Sequence, residues 1–400
     1  MNLTHLQAFM RDRRIDAWLV HDFRSSNAVL ARLVPPPPGT TRWTTRRVDL
    51  CIRAVGEPVV LTHHIDAAQF AKCGIRHEVY LSWREYQAKL AALLDGCPRV
   101  AMEYSPGGLL PVMAVADAGT VELVRSFGVE VVSSADLVQV SAAAWSDESL
   151  REHLRVSKVV GGIKDEAFAL IRAKVKAKAT LFEHEVAESM RTRFKAEGLE
   201  WLDGPIVAAN GHAGDPHYEP NAAKPTAIRA GDWVLIDLWA RKPGHEHIFS
   251  DITWVGFAGK AVPPRHARAF AAVKAARDAA LKRAQQAWKR KEPVQGWQLD
   301  DAARAELVGA GYESAIRHRT GHSLSPGPLV HGLGMNLDNL ETHDTRTMLP
   351  RTGFTIEPGV YMPASADGAL GVRLEINVYV DPKRGPIVTS VVQDKPLLIG

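Results

Sequence analysis

The chain has 400 residues, more than one hydrophobic core usually serves, so two domains are expected. Apolar residues make up 46% and charged residues 24%, which excludes a disordered or fibrous class, and no apolar run approaches the ~18 residues of a membrane span. The formal net charge of +4 is spread along the chain without a long run of like charges, and gives no case for nucleic acid.

Residues 1–147 read as alternating strands and helices, an N-terminal α/β domain. Arg11, Asp12, Arg13 and Arg14 lie where a secretory leader would need its apolar core, so a cytoplasmic protein is expected. Ala17 to Val20 is a short apolar strand, and Asp49 to Arg53 with Val59 to Thr62 forms a hairpin across Gly56-Glu57-Pro58. Pro35 to Pro38 is a stiff exposed loop. A helix over Tyr86 to Leu94 and strands at Arg99 to Met102 and Val129 to Val132 follow. The three cysteines, Cys51, Cys73 and Cys97, are widely spaced and read as reduced thiols.

A boundary falls near Trp145-Ser146-Asp147, where Ser146 or Asp147 caps a new helix, so that 148–400 forms the second domain. The pattern is helical to about Gly198, with a break expected at Gly161-Gly162. Beyond Trp201 come strands and Gly/Pro turns, with helices over Pro264 to Lys289 and Leu299 to Gly309.

Four carboxylates in this second half interrupt apolar strands. Asp237 sits in Val-Leu-Ile-Asp-Leu-Trp and Asp251 opens the next strand, so a hairpin through Pro243-Gly244 brings the two acids side by side. Glu357 ends Phe-Thr-Ile-Glu-Pro-Gly. Along Val372 to Val378, alternation sends Val372, Leu374, Ile376 and Val378 to one face and Arg373, Glu375 and Asn377 to the other. An ionised carboxylate in apolar surroundings costs several kcal/mol or more unless a cation pairs with it. Together the acids carry a charge of about −4, which two divalent ions would neutralise. His318-Arg319-Thr320-Gly321-His322, His331 and Pro216-His217-Tyr218 complete the set. One imidazole with four carboxylates is a mostly oxygen site, suited to Mn, Fe(II), Co or Zn.

The order Asp, Asp, Gly-His, Glu-Pro-Gly, Arg-x-Glu over roughly Ser146 to Gly400 resembles the pita-bread-fold metallopeptidases, which include methionine aminopeptidase, aminopeptidase P and prolidase. The N-terminal region and Pro-His-Tyr resemble the proline-directed branch. The resemblance implies an α/β (α+β) protein with a creatinase-type N-terminal domain and a creatinase/aminopeptidase-like catalytic domain. It makes Asp237, Asp251, His322, Glu357 and Glu375 the ligands of two divalent ions, manganese first. His217, His318 and His331 match its substrate-side histidines and Arg373 its supporting arginine. It further implies a homodimer acting on peptides with proline after the scissile bond. The Asp237–Asp251 and His322–His331 intervals are longer than the family's usual ones, Gly332 stands where many members have an acid, and Trp254 replaces a common arginine.

By this resemblance, water held between the ions attacks the scissile carbonyl, Glu357 carries its proton to the leaving nitrogen, and His331 hydrogen-bonds the developing oxyanion. Two rivals on the same fold are a metal-free creatinase-like C–N hydrolase and a non-catalytic binding module. Both dispense with ligands that this sequence retains.

Overall fold

The computed structural model describes residues 2–37, 39–362 and 368–400. The chain divides into two compact units, Met1–Ala142 and Ala143–Gly400. Pro35 to Pro37 run as irregular chain, and Pro38 lies outside the described residues.

The first unit contains α1 (Leu3–Asp12), β1 (Ala17–Phe23), α2 (Ala28–Leu33), β2 (Arg47–Arg53), β3 (Val59–His63), β4 (Arg76–Tyr80), α3 (Trp83–Leu94), β5 (Arg99–Met102), α4 (Ala118–Ser126), β6 (Glu130–Ser133) and α5 (Ala135–Val138). Its mixed six-stranded sheet has the order β4-β3-β2-β1-β5-β6. The β2–β3 hairpin is antiparallel, and Cys51 is set opposite Val59. Tyr86, Leu90 and Leu94, four residues apart along α3, face a core with Leu19, Val100, Met102, Val121 and Val124. All three cysteines are free thiols.

The second unit opens with α6 (Asp147–Lys176), capped by the Ser146 hydroxyl on the Ser149 N–H at 3.0 Å, with Asp147 and Glu148 in its first turn and Lys174 and Lys176 in its last. The helix is continuous through Gly161-Gly162, against the expected break. Gly161 permits close packing, since a Cβ there would lie 3.3 Å from the Val391 side chain. The interruption comes instead after Lys176, before α7 (Glu183–Ala196). Next come β7 (Ile206–Ala209), β8 (Trp233–Ala240), β9 (Ser250–Phe257), α8 (Pro264–Arg290) and α9 (Gly296–Gly309). The C-terminal strands are β10 (Ser323–Leu324), β11 (Gly353–Ile356), β12 (Gly359–Met362), β13 (Leu370–Arg373), β14 (Ile376–Asp381), β15 (Gly385–Val388) and β16 (Leu397–Leu398).

These strands form sheets of order β16-β9-β8-β7 and β10-β11-β14-β15, plus the β12-β13 ribbon. On β8 and β9, Val234, Ile236, Leu238, Ile252 and Trp254 pack under α6 and α7, against Val156, Val160, Ile163 and Ile171. Ala276, Ala280, Ala284 and Ala287 recur every three or four residues along α8. With α9 they cover Val372, Leu374, Ile376 and Val378. Helices thus bury the outward residues of both strand sets, and the opposite residues of each alternation are free to meet. Val372 to Val378 is not one strand. Chain pairing switches at Leu374-Glu375, where β13 leaves β12 and β14 takes up β11. The partition of side chains between faces survives that switch.

No helix among the described residues is long and apolar enough to cross a membrane.

Candidate metal centre

Asp237 and Asp251 lie on neighbouring antiparallel strands, with Asp237 opposite Thr253 and Asp251 opposite Trp239. The offset of two residues keeps both acids on one face as diagonal neighbours. From β13, β14 and the link between them, Arg373, Asn377 and Glu375 reach the same place. The Arg373 guanidinium contacts the Asp237 carboxylate and donates to the Thr253 hydroxyl and the Tyr361 hydroxyl, both at 3.0 Å. Thr253 in turn donates to Glu375 Oε2 at 2.9 Å. Asn377 binds both backbone groups of Asp251 through its side-chain amide. Glu357, just past β11, receives the Thr355 hydroxyl on Oε1 at 3.0 Å.

His322 immediately precedes β10 and is buried. Its Nδ1 lies 3.1 Å from the Ser323 carbonyl, an acceptor only, so that nitrogen carries the proton. Burial lowers its pKa and favours the neutral ring. Nε2 then offers a lone pair toward Asp251 Oδ2 at 3.5 Å and Glu357 Oε1 at 3.4 Å. Acceptors facing acceptors repel unless a cation sits among them.

Two further observations fit the same need. Asp237 Oδ1 and Glu375 Oε1 are buried and have no hydrogen-bond partner. Burial, and then the neighbouring acids against Arg373, push Asp237 up to about 7. Burial also raises Asp251, helped by Glu357, and raises Glu375, helped by Asp251 and Glu357. Glu357 differs. The effect of its burial is outweighed by His322, His318, Arg373 and His331, which hold it below the usual carboxylate range. Atoms of Asp251, His322 and Glu375 lie within 4.8 Å of one another, as ligands to a shared ion would. The donor set is oxygen-rich with one imidazole, and its unpartnered oxygens suit hard or borderline divalent ions.

These groups line a cavity of about 580 Å³, which His217, His318 and His331 also line. The histidines are not equivalent. His318 has both ring nitrogens occupied, by the Arg319 carbonyl and the Tyr361 hydroxyl, each at 2.7 Å. His331 is exposed to the cavity, with its ring centroid 4.1 Å from that of His322. The His322 ring, and then desolvation, push it down to about 4. His217 is exposed on a loop anchored by its neighbours. Tyr218 bonds Glu183 and stacks on His212 at 4.0 Å.

Sequence reasoning missed Thr253, Tyr361 and Glu183. Thr253 had a signal, lying two residues after Asp251 in the same alternation. Tyr361 and Glu183 had none, because their partners are remote in sequence.

The family model for metallopeptidase family M24 matches residues 156–382, a stretch that contains every one of these groups. The chain belongs to this family. Among curated relatives, the protein named "Putative dipeptidase YkvY" from Bacillus subtilis (strain 168) is 29% identical over 217 residues, 54% of this chain and 53% of that protein. The match thus spans about half of that relative's length. Dipeptidase PepE from Mycobacterium ulcerans superposes with a TM-score of 0.68 at 21% identity, covering 99% of this chain and 96% of that one. An Xaa-Pro dipeptidase from Bacillus anthracis gives 0.61 at 16% identity, covering 99% and 98%. At such identities these structures show the fold, which is the two-domain creatinase/prolidase type expected from the sequence.

Proposed function

We propose that this M24 chain is a dinuclear metal-dependent exopeptidase that cleaves the first bond of Xaa-Pro peptides, as an Xaa-Pro aminopeptidase or dipeptidase. The observation that carries the reading is the convergence of four carboxylates on the neutral His322 imidazole, with Asp237 and Glu375 each holding an unpartnered buried oxygen. Asp237, Asp251, His322, Glu357 and Glu375 would hold the ions. When bound, two divalent ions supply a water acidic enough to attack at neutral pH and an electrophile for the scissile carbonyl.

The remaining roles fall to the chain's own side chains. Glu357, steadied by Thr355 and with its carboxyl held below the usual range, takes the proton from the attacking water and returns it to the leaving nitrogen. His331, neutral and exposed to the cavity, donates a hydrogen bond to the oxygen that gains charge. Arg373 fixes one oxygen of Asp237, leaving the other for an ion. His318 acts through its bond to Tyr361, which orients Arg373. A proline nitrogen has no N–H to recognise, so Pro216, His217 and the cavity wall around them must accept a ring by shape. Manganese is placed ahead of cobalt, zinc and iron(II) on the oxygen-rich donor set. The homodimer and the cytoplasmic location rest on the family resemblance and the sequence.

The test is a panel of Xaa-Pro dipeptides and longer Xaa-Pro peptides, assayed after chelation and return of Mn, Co or Zn, alongside metal analysis of the purified protein. Cleavage restored by metal, and lost in Asp237→Asn and Glu357→Gln proteins that stay folded, is the expected result. A metal-free protein, or full activity in either variant, overturns the reading.

A further inference from the structure

The cavity wall holds three acids that none of the assigned roles uses, Asp203, Glu219 and Glu341. Asp203 lies on the loop before β7, exposed to the cavity, and its Oδ1 accepts the Trp239 indole N–H at 3.2 Å. The loop is pressed against that indole. A Cβ on Gly204 would fall 2.6 Å from the Trp239 ring, and on its other side the Gly204 carbonyl accepts from Arg191 Nε at 2.8 Å. Trp239 itself lies opposite Asp251 across the β8–β9 pair, which brings Asp203 up to the metal strands. Among the described residues no cation pairs with Asp203.

We propose that Asp203, held by Trp239, binds the free α-ammonium group of the substrate and so restricts cleavage to the first peptide bond. The inference deepens the exopeptidase reading and rests on it. The physical case is one of register. In a peptide the α-nitrogen stands two bonds from the first carbonyl carbon, so an acid anchored just outside the ligand cluster places that carbonyl against the cluster and excludes later ones. An anionic carboxylate with no cation of its own attracts the substrate ammonium, whereas a blocked or internal amide offers it no charge. The rigid seat matters too, because a carboxylate already oriented by an indole N–H loses little freedom on binding. Glu219 and Glu341 are the other unassigned acids on the cavity wall, but Glu341 is paired with Arg319 at 3.1 Å, and only Asp203 is seated on Trp239, the residue opposite Asp251.

Asp203→Asn is the sharp variant, since asparagine Oδ1 still accepts from Trp239 and only the charge is removed. Metal-loaded wild type and variant are compared on an Xaa-Pro dipeptide and on its desamino analogue, an acyl-proline of the same carbon skeleton. The variant should lose about 10- to 100-fold in kcat/KM on the dipeptide, the range for a hydrogen bond to a charged group, and change less than about twofold on the analogue. Product inhibition gives a second readout. The released amino acid should inhibit the variant more weakly than the wild type, and its desamino acid equally. If Asp203→Asn keeps the wild-type preference for the amine, the proposal is overturned. It is equally overturned if Glu219→Gln, and not Asp203→Asn, erases that preference. Should the wild type cleave peptides without proline and spare Xaa-Pro, the proline reading falls, and the same amine and desamino pair on the accepted sequence still decides Asp203.

Discussion

His322 presents its Nε2 lone pair to the Asp251 carboxylate at 3.5 Å, with its only ring proton committed to the Ser323 carbonyl. Such a contact is unfavourable in the protein alone and becomes favourable when a cation enters. Stability and metal content are therefore linked in this fold.

The linkage has a definite sign with pH. Asp237 is raised to about 7, and Asp251 and Glu375 are raised as well. A carboxyl raised by folding contributes stability that is full below its unfolded value near 4 and is lost as pH climbs through the folded value. Metal-free protein should therefore lose about 3–8 °C in Tm between pH 5 and pH 8, on the usual scale of a few degrees per kcal/mol. Saturation with manganese should remove that slope. Thermal scans of chelated and metal-loaded samples across the window check it, and a chelated protein that is most stable at pH 8 would contradict the site.

Glu375→Gln tests the same electrostatics at one residue. Glu375 Oε1 is buried without a partner, among acids, while Oε2 is held by Thr253. The amide keeps the Thr253 bond and deletes a buried charge, so the metal-free variant should gain about 1–3 kcal/mol over metal-free wild type. It should also lose the stabilisation that metal confers and its peptidase activity. Urea titrations with and without metal measure both effects.

Much of this centre was legible because a charged residue in an apolar strand is a local anomaly. Asp237, Asp251 and Glu375 each stand out against Val, Ile and Leu neighbours, and alternation alone assigned Arg373 and Asn377 to the same face as Glu375. The diagonal register of Asp237 and Asp251 was not legible, since it depends on the length of the 241–249 connection. Nor was the change of partner at Leu374-Glu375, because a switch between two ribbons leaves the alternation intact. The break expected at Gly161-Gly162 failed for a related reason. Glycine there answers to Val391, a packing neighbour more than two hundred residues away, and not to the local helix. His318 illustrates the limit for roles, as its motif places it in the cavity while the commitment of its nitrogens depends on Tyr361.

Gly321→Ala should damage the centre without touching a candidate ligand. A Cβ at Gly321 would lie 2.1 Å from the Thr355 carbonyl oxygen, a backbone atom that cannot swing aside. Thr355 is also the residue that holds His322, accepting its N–H on Oγ1 at 2.9 Å and donating its own N–H to the His322 carbonyl at 2.8 Å. The methyl group must part these segments and carry His322 away from Asp251. A loss of about 2–4 kcal/mol in stability is expected from overpacking with lost hydrogen bonds, together with at least tenfold weaker metal binding. Denaturation and metal titration would show it, and wild-type metal affinity in a destabilised variant would separate packing from ligand placement.

Glu183 offers the longest lever on the cavity. It is the first residue of α7 and is buried, and it accepts the Ala209 N–H at 2.6 Å and His212 Nδ1 at 3.0 Å, while Tyr218 bonds its other oxygen. One carboxylate thus ties the end of β7 to both ends of the segment that delivers His217 to the cavity. Replacing Glu183 with alanine leaves a buried N–H and a hydroxyl unsatisfied, which costs about 2–4 kcal/mol. Because the ligand cluster stays intact, the kinetic effect should fall on KM, about tenfold higher, with kcat within about threefold. Glu183→Gln keeps an acceptor for Ala209 and should recover most of the stability, and a smaller part of the KM, because its amide meets Tyr218 with a different polarity. Equal losses in kcat and kcat/KM would instead mean that this tie reaches the ligands themselves, and would move Glu183 from seating His217 to holding the centre.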